Sequence, residues 1–190
     1  MPFFQHWEAL ADRFEHSAEW LLIFDYERTL IPETRRPCET RLSEIVRRKL
    51  RRLTRRGNCA VAVISERSLS ELRHRVAIHH LIYMGSHGSE IEGNGWGFSL
   101  PAGGEAGRPF RWNRGSAVNW LRRVVSRGTL VFYLGGGPMD EIAFQALAKV
   151  GVTLRVGKKR GSAAAYYVQR QSDVRPVLDK LIAVGRHAND

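Results

Sequence analysis

The chain has 190 residues, and its 30 lysines and arginines outnumber its 19 aspartates and glutamates, for a formal net charge of +11. A hydrophobic fraction of 43% excludes a disordered chain, and no apolar run approaches the roughly 20 residues of a membrane span. Two cysteines without metal-ligand spacing exclude a disulfide scaffold and argue against structural zinc. We expect one domain over residues 1–190, and a cytoplasmic location because the N-terminal segment lacks a secretory signal pattern.

Strand and helix patterns alternate along the chain, which predicts an α/β protein with a parallel sheet. Short apolar runs predict strands at residues 20–26, 59–65, 80–84, 129–134, 152–156 and 166–169. Helical spacing of apolar residues and helix-end signals predict helices at 5–17, 41–56, 68–77, 117–127, 140–149 and from Ser172 onward. Residues 91–114 are rich in glycine and proline and predict a linker or hairpin.

Carboxylates follow the first predicted strand, where an open α/β sheet places its site. Asp25 and Glu27 lie two residues apart, a spacing that suits phosphoryl transfer through an aspartyl-phosphate. The first carboxylate would attack phosphorus and the second would protonate the leaving oxygen. A hydroxyl such as Thr29 or Ser65 would hold phosphate oxygens, and a further acid would complete a magnesium site. The alternative is that Asp25 caps the strand and Glu27 is merely solvated.

Six segments in chain order resemble motifs of the trehalose-6-phosphate phosphatase family, within the haloacid dehalogenase (HAD) superfamily. The segment FDYERTL at 24–30 resembles the family's LDYDGTL, and ISER at 64–67 resembles its ISGR. The others are GSHGSEI at 85–91, NRGSAV at 113–118, YLGGGPMDEIAF at 133–144 and GVTLRVG at 151–157. Together the segments extend the resemblance over about residues 20–184.

The resemblance implies a HAD-like Rossmannoid core, a mostly parallel central sheet with helices on both faces. It also implies roles for individual residues at the ends of the strands. These are Asp25, Glu27 and Arg114 in catalysis; Thr29 and Ser65 in phosphate binding; Asp25, Glu27 and Asp140 at Mg²⁺; and Ser86, His87 and Glu90 in a substrate loop.

Departures from the family pattern affect most of these roles. Glu27 is one methylene longer than the family's aspartate, and Arg28 replaces a glycine that permits a tight turn. Arg114 stands where the family has lysine, and Gly136 and Gly137 replace the aspartate pair that supplies a magnesium ligand. A hard cation that loses its anionic ligand binds weakly. We therefore expect weak or no Mg²⁺ binding.

The cap domain of the family, which reads the sugar and excludes water, has no counterpart of similar length here. The short linker 91–114 stands in its place, so the cap is predicted to be absent or reduced to a loop or hairpin. Capless relatives tend to act on large substrates or to use a partner chain as the cap. A protein partner or a second copy of the chain is therefore expected over the open site.

Three functions remain open from the sequence. The first is a catalytically impaired or inactive HAD pseudophosphatase with a regulatory or assembly role. The second is an active capless Mg²⁺-dependent phosphomonoesterase, with Asp25 as nucleophile, acting on trehalose-6-phosphate or a larger phosphorylated substrate. The third is binding of a polyanion or nucleic acid by the basic helix 41–56, through Arg47, Arg48, Arg51, Arg52 and Arg55.

Overall fold

A computed structural model describes residues 1–33, 41–93 and 113–184 of the chain. Its strands are β1 (Trp20–Asp25), β2 (Cys59–Ile64), β3 (Ile82–Gly85), β4 (Glu90–Gly93), β5 (Leu130–Gly135), β6 (Gly151–Val156) and β7 (Tyr166–Val168). Its helices are α1 (Trp7–Glu15), α2 (Glu44–Thr54), α3 (Leu69–Val76), α4 (Arg114–Val124), α5 (Asp140–Leu147) and α6 (Val174–Ala183). No helix in these ranges is long and apolar enough to cross a bilayer.

The described strands form one sheet in the order β4-β3-β2-β1-β5-β6-β7. All neighbouring pairs are parallel except β3 and β4, which are antiparallel. The strand order reverses direction at β1, which lies between β2 and β5. In open α/β sheets a ligand crevice forms at such a point, beyond the carboxyl ends of the strands. The topology therefore predicts a ligand crevice at the carboxyl end of β1.

Apolar side chains of the strands point alternately to two cores, one on each face of the sheet. From β1, Leu22 and Phe24 join the core under α1, α2, α3 and α6, whereas Leu21 and Ile23 join the core under α4 and α5. This arrangement confirms the predicted α/β class with helices on both faces. The predicted strands and helices are all present, with ends displaced by one to a few residues.

Two boundaries of the predicted linker differ in the structure. Its first residues belong to β4, which pairs with β3 through Met84 and Ile91, and its last residue begins α4. The strand was missed because its sequence, Glu90–Gly93, carries too little apolar alternation to be recognised. Residues 94–112 of the linker, including the aromatic residues Trp96, Phe98, Phe110 and Trp112, lie outside the described residues.

Candidate active site

The turn after β1 carries four of the residues singled out from the sequence. Asp25 is the last residue of the strand and is 1% exposed, and the chain then turns over Tyr26–Leu30. Arg28 adopts a left-handed backbone, with φ of 59°. That conformation costs a non-glycine residue about 1–2 kcal/mol, which explains why a glycine suits this position in the family. Asp25 therefore lies at the reversal point of the sheet, at the start of a strained turn.

Arg114 connects Asp25 to Asp140. Its guanidinium nitrogen Nη1 donates to Oδ1 of Asp25 and also to Oδ1 of Asp140. The arginine is the first residue of α4, where the Asn113 side chain caps the helix by accepting from the Ser116 amide at 3.0 Å. All three charged side chains are almost fully buried. The helix start thus fixes one cation between two carboxylates from different elements.

Asp140 is bound on both of its oxygens by donors from the chain. Oδ1 accepts from Arg114 and from the Tyr133 hydroxyl at 2.7 Å, and Oδ2 accepts from the amides of Gly136 and Gly137 at 2.8 and 2.7 Å. A carboxylate has about four lone-pair sites. Four donors leave Asp140 without a lone pair for another ligand.

The charges of this cluster do not cancel, and the pKa values reflect the imbalance. Burial raises the pKa of Asp25 well above its ordinary value, the negative charge of Asp140 adds to the rise, and Arg114 offsets part of it. Burial lowers the pKa of the Arg114 guanidinium, but the charges of Asp25 and Asp140 outweigh that effect and raise it above its usual range. Burial and Asp140 also raise the pKa of Tyr133, so its hydroxyl remains a donor.

Glu27 forms a separate group with Ser65 and Arg67. The Ser65 hydroxyl donates to Glu27 Oε1 at 2.6 Å and accepts from the Arg67 amide at 3.0 Å, and the Arg67 Nε lies 3.4 Å from the same carboxylate oxygen. Glu27 Oε2 lies 3.9 Å from Arg114 Nη2 and has no hydrogen-bond partner among the described residues. Burial raises the pKa of Glu27, against the hydrogen bond from Ser65, which lowers it. Ser65 is thus directed at a carboxylate.

The other hydroxyl and the predicted substrate loop also have partners within the chain. Thr29 Oγ1 donates to Asp25 Oδ2 at 3.2 Å. In the loop after β3, the Ser86 hydroxyl donates to Glu90, whose other oxygen accepts from the Leu69 amide at 3.1 Å. Ser86 and His87 both have positive φ, a strained conformation that is common near functional sites. The roles predicted for these residues remain predictions.

A cavity of about 200 Å³ opens beyond this cluster. Its lining includes four carboxylates and three guanidinium groups: Asp25, Glu27, Glu33, Glu66, Arg28, Arg67 and Arg114. The lining therefore carries one more negative than positive charge when all are ionised. Pro32, Pro138 and Met139 add an apolar part to the lining, and Met139 is 43% exposed. The cavity accommodates a small group, and its four carboxyl groups outnumber its three guanidinium groups.

The donor set does not suit Mg²⁺, which requires several hard oxygen ligands in near-octahedral geometry. Asp140 has no free lone pair, Arg114 occupies one oxygen of Asp25, and glycines stand at positions 136 and 137. The described residues contain no group of three or more histidine, cysteine or acidic side chains placed to hold a metal. A Cβ on Gly136 would lie 3.0 Å from the Arg28 carbonyl oxygen, so the turn would have to shift to admit an aspartate there.

Two residues of this cluster were missed in the sequence. Tyr133 donates to Asp140, and Arg155 on β6 contacts the carbonyl oxygens of Gly136 and Gly137 at 3.2 and 3.4 Å. Arg155 also pairs with Glu141 at 2.8 Å and is 9% exposed. The signal available was an arginine within an otherwise apolar strand, because a buried charge of this kind needs a partner. These contacts indicate that Arg155 fixes the backbone at Gly136 and Gly137, hereafter the glycine loop.

The basic helix lies apart from this site. Within α2, Arg47 is half-buried and binds Glu44 and the carbonyl oxygens of Arg75 and Val76. Arg51 lies 3.7 Å from Glu44. Arg48, Arg52 and Arg55 are exposed, and none has an ion-pair partner in the described parts of the chain. Their spacing of four and three residues places them on one helix face, hereafter the α2 arginine face.

Comparisons with known proteins find relatives of this chain in sequence and in fold. Residues 23–98 match the family model described as trehalose-phosphatase. Two solved structures share the fold closely. Trehalose-6-phosphate phosphatase of Aspergillus fumigatus (crystal form 3) has a TM-score of 0.78 and 18% identity over 93% of this chain and 97% of the other. The C-terminal domain of the C. albicans enzyme has a TM-score of 0.76 and 16% identity over 94% and 97%.

A more distant structure carries ligands. The 3-deoxy-D-manno-octulosonate 8-phosphate phosphatase of Moraxella catarrhalis, described in complex with magnesium, phosphate and KDO, has a TM-score of 0.56 and 16% identity. The match covers 92% of this chain and 90% of the other. No curated protein sequence matches the chain. The chain therefore resembles trehalose-phosphatases in sequence over residues 23–98 and shares its fold with these solved phosphatase structures over more than nine tenths of its length.

Proposed function

We propose that this chain is a relative of the trehalose-6-phosphate phosphatases that does not hydrolyse phosphate esters and instead serves a regulatory or assembly role. The observation that carries the proposal is the state of Asp140. This carboxylate accepts four donors from the chain itself, and the neighbouring aspartate pair of the family is replaced by Gly136 and Gly137. In this arrangement the site lacks the oxygen ligands that Mg²⁺-dependent chemistry needs.

The electrostatics of the cavity support the same proposal. A phosphate monoester carries close to two negative charges at neutral pH, and the cavity lining already carries an excess of carboxylates. In a magnesium enzyme the divalent cation offsets such charge and binds the transferred group. The hydroxyls of Thr29 and Ser65, for which phosphate binding remains a prediction, donate to Asp25 and Glu27.

Turnover measurements test this proposal. Wild type and Asp25→Asn are assayed with trehalose-6-phosphate and with a generic aryl phosphate, each with millimolar MgCl₂ and with EDTA. The proposal expects no turnover that depends on both Mg²⁺ and Asp25. Turnover that needs Mg²⁺ and disappears in Asp25→Asn overturns it, and assigns the chain as an active capless phosphomonoesterase with Asp25 as nucleophile.

A second candidate function is binding of a nucleic acid, and the α2 arginine face favours it. Arg48, Arg52 and Arg55 present three guanidinium groups over about 10 Å of helix, a distance given by seven residues at about 1.5 Å each, and none has an ion-pair partner among the described residues. Arginine binds phosphate oxygens bidentately. A non-catalytic protein of this fold would then contact its partner on the helical layer formed by α1, α2, α3 and α6.

The salt dependence of binding tests this candidate. Affinity for a labelled DNA duplex is measured by fluorescence anisotropy over a series of salt concentrations. Three lost phosphate contacts in an Arg48, Arg52 and Arg55 triple alanine variant should reduce the slope of log affinity against log salt by roughly 3. A triple alanine variant of Arg123, Arg127 and Lys149, exposed residues on the α4 and α5 side, is the matched control. Equal slopes in all three proteins contradict this candidate; binding to polyglutamate alone assigns the face to an acidic protein.

A further inference from the structure

A single nitrogen atom bridges two buried carboxylates at the centre of the site. Nη1 of Arg114 donates to one oxygen of Asp25, at the end of β1, and to one oxygen of Asp140, at the start of α5. Asp25 is 1% exposed and Asp140 is 0% exposed. A positive centre held between carboxylate oxygens of two elements is the arrangement that a bound divalent cation creates.

A cation between the two buried carboxyl groups is favourable on electrostatic grounds. Burying an ionised carboxylate without a partner is strongly unfavourable, and two neighbouring carboxylates also repel each other. Thr29, Tyr133 and the loop amides donate hydrogen bonds to this pair but bring no full positive charge. Among the described residues, Arg114 is the cation in hydrogen-bond contact with both acids.

We propose that the Arg114 guanidinium is a resident counter-cation that takes the place of Mg²⁺ and keeps Asp25 and Asp140 together without metal. The inference rests on the proposed function, because it explains how the site remains assembled after its metal ligands are lost. It predicts that a divalent cation and the guanidinium exclude each other, since Arg114 already occupies one oxygen of each carboxylate that would hold the metal. The chain then carries its cation permanently, supplied by α4.

The neighbouring Arg155 provides a matched comparison. It is also a buried arginine next to the glycine loop, but within the described ranges its one carboxylate partner is Glu141, at 2.8 Å. Removing its side chain leaves Glu141 with hydrogen bonds from the Ser162 hydroxyl and the Ala163 amide and with Lys159 at 3.8 Å. Loss of Arg155 should therefore destabilise the protein without creating a place for a cation between two carboxylates.

The test compares melting temperatures of wild type, Arg114→Ala and Arg155→Ala. Each protein is measured with MgCl₂, with ethylguanidinium chloride and with NaCl at equal ionic strength. We expect Arg114→Ala to melt roughly 10 °C below wild type in NaCl, as a broken buried ion pair implies for a chain of this size. Either added cation should raise its melting temperature by several degrees through binding to the folded state. Wild type and Arg155→Ala should respond to neither cation.

Three results overturn the inference: a melting temperature of wild type that rises with Mg²⁺, a variant Arg114→Ala that responds to neither cation, or equal responses of both variants. If Arg114→Ala is recovered unfolded, it is refolded from urea in each salt. Refolding in MgCl₂ or ethylguanidinium chloride but not in NaCl supports the inference, and refolding in none contradicts it. The turnover assay above reports separately on the proposed function, because the melting temperatures measure cation binding without any substrate.

Discussion

The hydrogen bond from Tyr133 to Asp140 allows a quantitative test of how strongly the chain itself satisfies this carboxylate. Both side chains are 0% exposed, and the hydroxyl lies 2.7 Å from Asp140 Oδ1. Tyr133→Phe removes only this donor and keeps the ring, which packs edge-on against Phe144 at 5.6 Å. A hydrogen bond to a charged group contributes about 1.5–3 kcal/mol. We therefore expect a loss of about 2 kcal/mol in the free energy of unfolding.

Thermal or urea unfolding measures this loss. For a chain of this length about 2 kcal/mol corresponds to a decrease of roughly 4–8 °C in melting temperature. Tyr167→Phe is the control, because the Tyr167 hydroxyl forms no hydrogen bond with the described residues, and its change should stay within about 0.5 kcal/mol. Equal stabilities of the two variants would refute the reasoning, since Asp140 would then not depend on Tyr133 as a donor.

Three further predictions concern neighbouring residues. The raised pKa of Asp25 means that the folded state holds this proton at pH values where the unfolded state has lost it, so stability falls as pH rises from about 4 through the folded pKa. Calorimetry should show that the stability of Asp25→Asn relative to wild type increases as the pH rises across that range. A stability difference that does not change with pH contradicts this. Gly135→Ala, whose Cβ would lie 2.5 Å from the Asp140 Cγ, should lose about 3 kcal/mol in chemical denaturation, whereas Gly57→Ala, with nothing within 4 Å, should lose almost none. Arg155→Met should lose about 2 kcal/mol and speed hydrogen exchange at the glycine-loop amides; unchanged exchange would show that Arg155 does not hold the loop.

The fold was accessible from the sequence because its strands are buried on both faces. Apolar runs such as Trp20–Phe24 have a strong signal, and four of the six predicted strands are followed by a helical pattern. The short strand β4 was missed because its residues are half-buried and include two glutamates. Edge strands of this kind are defined by their partner, here β3, more than by their own composition.

The candidate site was only partly accessible. Spacing and strand ends indicated Asp25 and Glu27, because carboxyl ends of neighbouring strands meet at one edge of the sheet, and the family resemblance added Asp140. The hydrogen bonds of Asp140 could not be predicted, because they depend on where the chain turns at Gly136 and Gly137 and on the reach of a side chain from α4. A substitution of lysine by arginine reads as conservative in sequence, but here it brings one nitrogen between two acids.

The central claim, that the chain's own donors and Arg114 leave no magnesium site between Asp25 and Asp140, is tested most directly by Mn²⁺ binding to the wild-type protein. Electron paramagnetic resonance measures free Mn²⁺ during a titration, and Asp25→Asn serves as the control for adventitious surface binding. We predict the same free Mn²⁺ signal for wild type and control. A wild type that sequesters one Mn²⁺ per chain, with loss of that binding in Asp25→Asn, would contradict the account.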